Sequence, residues 1–350
     1  MENRPGTALI VGANGLFGRY LADRLEAASG WRVLRCSRTG SGSHRREVLV
    51  DLTDVGAAAE LATSIPDVTH VFYAARFASA DADTETAVNT SMLRNVLDAV
   101  AANGAAVQHI QLMHGTKWYG GVGDPYLTPA DEDDPRARVP NFYHTQQDLL
   151  AERAPAAAWN WTTLRPHTIC APVAGQSHSL VPLLAAYAAL CRQIGTQLIF
   201  PGSEACFRSM RQATDIDLLA EAAVWAATTP SCANEAFNVV NGDYFRWCEL
   251  WPGIAGFFGL EPGPVQPIGL AAYTEALAPA WEELARVEGL EAKRIEDVGE
   301  WSYLDRILRS ERDDMSSTAK LKRHGFDLAV DSGAMFLRMF EALREQRIIP

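Results

Sequence analysis

Thr7-Ala8-Leu9-Ile10-Val11-Gly12-Ala13-Asn14-Gly15-Leu16-Phe17-Gly18 is the stretch that decides the fold. An apolar run of strand length ends at Gly12, and a helical pattern opens at Leu16 and continues to Ala28. The glycines between them fall in a G-x-x-G-x-x-G pattern. At Gly12 the turn needs backbone angles strained for other residues. At Gly15 the lack of a side chain lets a pyrophosphate approach the helix N-terminus, where free N–H groups and the helix dipole attract anions. At Gly18 it lets helix and strand pack closely. A strand before the glycines and a helix after them make this a dinucleotide-binding turn, with Asn14 and Leu16 in the contact set.

Working outward, short apolar runs recur at residues 32–36, 47–50, 70–75 and 109–113, with helical patterns between them. That alternation predicts an α/β chain with a Rossmann-like, doubly wound parallel sheet. Residues 37–46 read as a surface loop, and 120–140, rich in Gly, Pro and Asp, as a loop near the active site. From about Pro172 the alternation stops. Residues 180–194 form a long apolar helical stretch, and 252–312 are helical with Pro and Gly breaks. These parts predict a smaller, mostly helical substrate lobe over the carboxyl ends of the strands. The expected division is 1–171 for the cofactor domain, with returning segments near 209–245, and 172–208 plus 246–350 for the lobe, interleaved.

The 350 residues carry 48% hydrophobic residues, enough for a sizeable core, and a net charge of −12. That charge argues against nucleic-acid and anionic-membrane partners and reads as a solubility feature. Cys36, Cys170, Cys191, Cys206, Cys232 and Cys248 show no C-x-x-C spacing, so no zinc site, redox dithiol or other metal is expected. They read as reduced thiols of a cytoplasmic protein. No apolar run reaches about eighteen residues, so no transmembrane helix is expected. Met1 to Gly6 is polar and leads into a strand, which leaves no room for a signal peptide.

The end of the second strand separates NAD from NADP. Enzymes using NAD place Asp or Glu there for the ribose hydroxyls. Cys36-Ser37-Arg38 stands there instead, so Ser37 and Arg38, with Arg35 as a helper, suit a 2′-phosphate; the alternative is solvated surface arginines. Asp51-Leu52 after the third strand is either an adenine contact or a strand-end turn. Tyr73-Ala74-Ala75 after the fourth strand joins the cofactor set.

Short-chain dehydrogenases usually carry Tyr-x-x-x-Lys on one helix, the lysine lowering the tyrosine pKa. Here Tyr143 is followed four residues later by Gln147, so that dyad is broken. A lysine does stand just after the fifth strand, in His114-Gly115-Thr116-Lys117-Trp118-Tyr119, where strand ends face the nicotinamide.

That segment and Asn141-Phe142-Tyr143-His144-Thr145-Gln146-Gln147-Asp148 resemble the Thr-Gly-x-Lys-His-Tyr and Asn-Phe-Tyr-Tyr-x-x-Glu-Asp motifs of the progesterone 5β-reductase and iridoid synthase-like family. These proteins are atypical short-chain dehydrogenases. Val68-Thr69-His70-Val71-Phe72-Tyr73, Met92 through Val100, Asn234 through Asp243 and the closing Arg347-Ile348-Ile349-Pro350 extend the resemblance over the whole chain. It implies that Lys117 and Tyr143 are the catalytic pair, reducing an activated C=C bond of an enone or enal by conjugate hydride addition from NADPH. It also implies His114, Tyr143, Pro166, Thr168 and Ile169 around the nicotinamide. Trp118, Phe207, Trp301 and Tyr303 become an apolar substrate pocket. The departures are His114 for threonine, His144 for a second tyrosine, Gln147 for an acidic residue, and His167 for the glycine of Arg-Pro-Gly-Asn-Ile. A packing role is the alternative for each histidine, and His167 would narrow the pocket.

The rival enzyme reading is a carbonyl reductase or alcohol dehydrogenase with the same residues. A sugar-nucleotide epimerase is weaker, because it needs Tyr-x-x-x-Lys. A non-catalytic NADP-binding sensor is the rival from another class. A homodimer through helices flanking the sheet is common in this superfamily.

Overall fold

The computed structural model describes residues 6–40, 46–104, 106–121 and 124–350. The expectations for residues 1–5, and for 41–45 of the surface loop, lie outside them. The chain runs β1 (Thr7–Val11), α1 (Leu16–Ala27), β2 (Arg32–Ser37), β3 (Glu47–Leu49), α2 (Ala57–Ser64), β4 (His70–Tyr73), α3 (Ala82–Asn103), β5 (His109–Met113), α4 (Phe142–Arg153) and β6 (Asn160–Pro166). Then come β7 (Thr168–Cys170), α5 (Leu180–Gln193), β8 (Leu198–Phe200), α6 (Glu204–Arg208), β9 (Ala213–Asp215), α7 (Ile216–Thr228) and β10 (Glu235–Val239). The last elements are α8 (Trp247–Phe257), β11 (Pro262–Val265), α9 (Leu270–Ala276), α10 (Ala278–Glu288), α11 (Trp301–Leu308), α12 (Ala319–Arg323) and α13 (Ser332–Glu345).

The chain divides into two compact units. Unit one holds the chain up to Pro166, Leu219–Val239 and Ser317–Asp327. Its seven strands form one sheet in the order β10-β6-β5-β4-β1-β2-β3, every neighbouring pair parallel. The order reverses direction between β1 and β4, which makes their carboxyl ends the switch point where doubly wound sheets take ligands. The expected parallel sheet is therefore present.

Side chains alternate between the two faces of each strand. Leu9, Val11, Leu34, Cys36, Val71, Tyr73, Ile110 and Leu112 pack with Leu61 of α2, Leu93, Val96 and Val100 of α3, and Leu149 and Leu150 of α4. Each fully buried Leu or Val contributes about 1.5–3 kcal/mol. The opposite face is more polar and meets α1 and α7. There Arg35 pairs with Asp23 and Glu26 of α1. Gln111 Nε2 donates to the Ala223 carbonyl of α7 at 3.0 Å, and His109 Nε2 and Thr162 Oγ1 lie 2.9 Å apart.

Unit two holds His167–Leu218, Val240–Ser316 and Leu328–Pro350. Twelve consecutive residues of α5, Leu180 to Cys191, are buried, because α10, α11 and α13 surround the helix. Two parallel strand pairs, β7 with β9 and β8 with β11, complete the unit. Residues 252–312, expected to be helical with Pro and Gly breaks, are helical except that one break is a strand. α8 carries Pro252 in its interior, held by buried Trp247 and Trp251 on one side of it, and β11 then interrupts the helices. The sequence of β11 is Pro-Gly-Pro-Val, and proline fixes φ and withholds an N–H, so this segment extends.

Among the described residues no helix is long and apolar enough to cross a membrane, and no cluster of three His, Cys, Asp or Glu is arranged for a metal ion. All six cysteines are free thiols.

Candidate active site

The glycine turn is built from close approaches. Gly12 has φ +85°, and a Cβ there would stand 2.7 Å from the Ala75 nitrogen and 2.8 Å from the Ala74 carbonyl carbon. A Cβ on Gly18 would meet the Gly12 oxygen at 2.3 Å. Gly12 and Ala13 both donate to the Cys36 carbonyl, at 2.9 and 3.1 Å, and Ala74 donates to Val11 at 2.8 Å. The turn is thus locked between the ends of β2 and β4. Gly15 caps α1 without a side-chain hydrogen bond, and the first turn of α1 has no acidic residue. Its N–H groups remain available to a phosphate, so the residues present fit a dinucleotide pyrophosphate.

At the end of β2 the residues separate. Arg38 is exposed and lies close enough to Asp51 to help depress its carboxyl. Asp51 accepts from Thr53 N (3.0 Å) and Thr53 Oγ1 (2.7 Å), and these bonds are the main cause of that depression. This is a strand-end turn. Ser37 Oγ and Asn14 Nδ2 both donate to the Thr39 carbonyl, at 2.9 and 2.7 Å, which ties the loop to the glycine turn. Leu52 is buried and its carbonyl accepts from Asn95 Nδ2 at 2.9 Å.

The expectation that Arg35 helps bind a 2′-phosphate is overturned. Residues 35 and 36 project to opposite faces, so Arg35 goes under α1, 4% exposed, with Asp23 at 2.5 Å and Glu26 at 2.9 Å. Tyr73 likewise turns into the core. Burial pushes its phenol pKa up, which leaves backbone as its offering to a cofactor.

β5 ends at Met113, and His114 N still bonds the Leu164 carbonyl of β6 at 2.9 Å. Gly115 then leads into a single tight turn over Thr116–Trp118 that carries exposed Lys117. The first turn of α4 grips this turn. Asn141 caps the helix, accepting from Tyr143 N at 3.0 Å, while its Nδ2 donates to the Lys117 carbonyl at 2.6 Å. His144 Nε2 lies 2.9 Å from the Trp118 carbonyl. A Cβ on Gly115 would stand 3.5 Å from the Tyr143 hydroxyl and 3.5 Å from the Pro166 carbonyl. The Tyr143 hydroxyl and the Pro166 carbonyl therefore both stand at Gly115, two residues before Lys117 in the chain. Desolvation raises the Tyr143 pKa, with Arg76 opposing and Glu85 assisting, so the hydroxyl keeps its proton.

Two groups that the sequence reading left without a role stand out. Arg76 and Glu85, paired at 2.7 Å, supply the electrostatic neighbours of Tyr143. Arg165, 1% exposed, lies 3.8 Å over the Trp118 ring and donates to Tyr119 Oη (3.0 Å), the Glu132 carbonyl (3.1 Å) and Gln147 Oε1 (3.3 Å). Tyr119 Oη in turn donates to Asn238 Oδ1 at 2.7 Å, and burial raises the Glu132 carboxyl pKa. The signal for Arg165 was a charged residue in an otherwise uncharged buried strand.

The pocket assignment for Trp118 does not match its surroundings: it is 3% exposed, with Arg165 and Arg136 against its ring. His114 is sealed as well, and neither ring nitrogen has a partner of hydrogen-bond geometry, so it offers a cofactor no nitrogen. In unit two, Thr168 and Ile169 are half-buried in β7. Trp301 Nε1 donates to the Ile295 carbonyl at 3.1 Å, Tyr303 packs edge-on to His178, and Phe207 is half-buried against Phe200. His167 packs inward, Nε2 at 2.8 Å from Ser316 Oγ and Nδ1 at 3.5 Å from Asp314.

A seven-stranded parallel sheet with a glycine turn at its switch point defines a Rossmann-fold chain. The model of the PRISE-like Rossmann-fold domain matches residues 46–350, and the chain belongs to that family. It is 34% identical to an (S)-8-oxocitronellyl enol synthase of Nepeta cataria, covering 100% of this chain and 93% of that protein. It is 33% identical to a 3-oxo-Delta(4,5)-steroid 5-beta-reductase of Arabidopsis thaliana, covering 98% and 93%. Among solved structures it resembles a putative epimerase from Burkholderia cenocepacia, with TM-score 0.69, 20% identity, and 98% and 100% of the two chains covered. RMD from Pseudomonas aeruginosa, complexed with NADPH, gives TM-score 0.66 at 18% identity, covering 98% and 99%.

Proposed function

We propose that this chain is an NADPH-dependent reductase of activated C=C bonds in hydrophobic enones or enals, with Tyr143 and Lys117 as its catalytic pair. The observation that carries this reading is the convergence of the Tyr143 hydroxyl and the Lys117 turn on Gly115, while position 147 holds a neutral amide bonded to Arg165 and Thr163. The steroid reductase relative acts, by its name, on a 3-oxo compound with a 4,5 double bond, the same substrate class.

When bound, NADPH supplies the hydride that adds to the β-carbon. Tyr143 donates a hydrogen bond to the carbonyl oxygen as charge accumulates there, an interaction worth about 3 kcal/mol in the transition state. Its raised pKa keeps that donor protonated. Lys117 adds positive charge on the same side, and water protonates the enolate carbon. In the holoenzyme, the Gly12–Gly18 turn and Asn14 would hold the pyrophosphate and Arg38 the 2′-phosphate. Asp51, Leu52 and the backbone of Tyr73, Ala74 and Ala75 would contact the adenosine side, and the Pro166 backbone would contact the nicotinamide. Unit two is read as the substrate lobe, with Phe207 the least buried of its three aromatic candidates. Free thiols throughout support a reducing, cytoplasmic setting, and a homodimer through sheet-flanking helices is the assembly to check by light scattering.

The test follows NADPH absorbance with 2-cyclohexenone, progesterone, a monoterpene dialdehyde and matched saturated carbonyls. Saturated ketone as product supports the proposal. Allylic alcohol, or turnover only of saturated carbonyls, replaces it with carbonyl reduction. Cofactor binding without any turnover replaces it with the sensor reading.

A further inference from the structure

We propose that His114 is a positioning residue for Tyr143, fixing the plane of the phenol by ring stacking and not through either of its nitrogens. The proposal rests on the catalytic reading of Tyr143 given above. His114 leaves the end of β5 and is 4% exposed. Its imidazole lies 4.6 Å from the Tyr143 ring, the planes 25° apart, and 6.1 Å from the Trp118 ring, the planes 17° apart. The Arg165 guanidinium lies 3.8 Å from the Trp118 ring centroid. One chain of stacked groups therefore joins the first turn of α4, the end of β5, the Lys117 turn and β6.

Stacking of this kind acts through ring faces. The nitrogens lie in the ring plane, where Gln146 is their polar side-chain neighbour, and neither Nδ1 nor Nε2 is hydrogen-bonded to Tyr143. The nitrogens do not reach the phenol, so the contact between the two side chains is the one their ring faces make. Desolvation and the neighbouring Arg165 push its pKa well below the ordinary range, which keeps the ring neutral. What remains for His114 to contribute is a flat neutral surface against Tyr143. Because the Tyr143 hydroxyl reaches to Gly115, the residue after His114, tilting the phenol moves its oxygen relative to the Lys117 turn. A misplacement of about 1 Å lowers rates up to about a hundredfold.

The experiment compares wild type, His114→Ala, His114→Thr and His114→Phe. It reads kcat and KM for 2-cyclohexenone, Kd for NADPH by fluorescence, folding by circular dichroism, and the ring carbon–proton NMR signals of Tyr143, assigned by their loss in Tyr143→Phe. Ala and Thr should lower kcat at least about tenfold with NADPH Kd unchanged. Phe should rescue most of that loss. The Tyr143 ring signals should move downfield in Ala and Thr and return toward wild type in Phe. A full kcat in Ala, or a loss in Phe equal to that in Ala, overturns the proposal. The first would remove any positioning role, and the second would make a nitrogen the acting group. If wild type reduces no enone, the functional reading fails, and the NMR signals alone still decide whether the stack fixes Tyr143.

Discussion

Replacing Gly18 by alanine tests the construction of the cofactor turn. The new Cβ would lie 2.3 Å from the Gly12 oxygen and 2.9 Å from its carbonyl carbon, both backbone atoms that no rotamer change can move. Ordinary contact starts at 3.4 Å, so α1 must retreat by about 1 Å. Overpacking of this size costs about 1–3 kcal/mol. Unfolding entropy of about 2.1 cal/mol/K per residue gives roughly 0.7 kcal/mol per degree for 350 residues, so Tm should fall by about 1–4 °C. The same displacement moves the first-turn N–H groups away from the pyrophosphate. NADPH Kd should rise at least about tenfold, and the Tm gain from saturating NADPH should shrink by about 2 °C. Gly15→Ala is the contrast. Gly15 has φ −73° and its Cβ would meet the Gly12 oxygen at 3.3 Å, so Tm should hold while NADPH binding weakens. Thermal melts with and without NADPH, plus calorimetric titration, read both quantities. Wild-type Tm and Kd in Gly18→Ala would refute the packing account.

Tyr143→Phe should lower kcat about a hundredfold or more with NADPH Kd unchanged, measured by single-turnover NADPH oxidation; an unchanged rate would remove Tyr143 from the chemistry. Arg38→Ala should weaken NADPH about ten- to a hundredfold and leave NADH alone, whereas Arg35→Ala should lower Tm without changing that preference; titrations with both cofactors decide. Burial pushes the His70 and His109 pKa values down to about 4, and in the unfolded chain each takes its proton near 6.5. Between these values the unfolded chain binds protons that the folded one refuses. Stability should therefore be full above about pH 6.5 and fall by roughly 3 kcal/mol per histidine on descending to pH 4. A Tm unchanged from pH 7 to pH 4.5 would contradict this.

The sheet was legible because buried parallel strands announce themselves as apolar runs, and the glycine turn because the contacts at Gly12 and Gly18 forbid a side chain. Gly12 and Gly18 have no alternative, so the pattern survives in one sequence. Side-chain direction was less legible. Arg35 and Arg38 look equivalent as letters, and only the strand's alternation, anchored by Cys36 in the core, sends Arg35 to Asp23 and Glu26. Trp118 read as a pocket aromatic because sequence adjacency to Lys117 says nothing about the two arginines at its ring. Arg76 was invisible for a related reason. Its influence on Tyr143 depends on how the segment after β4 meets the first turn of α3. Chain segments far apart in sequence also form β7 with β9 and β8 with β11, and three-residue strands leave almost no periodic trace.

Gln147 occupies the place where a short-chain dehydrogenase usually holds its lysine, and its amide oxygen accepts a hydrogen bond from Arg165. That contact makes the position electrostatically asymmetric. A lysine arriving there would face a buried guanidinium and be repelled, while a carboxylate would be welcomed. A tyrosine–lysine dyad on α4 is thus not one substitution away from this chain. With Arg165 held beneath the helix, a change at position 147 varies the strength of its grip on that arginine.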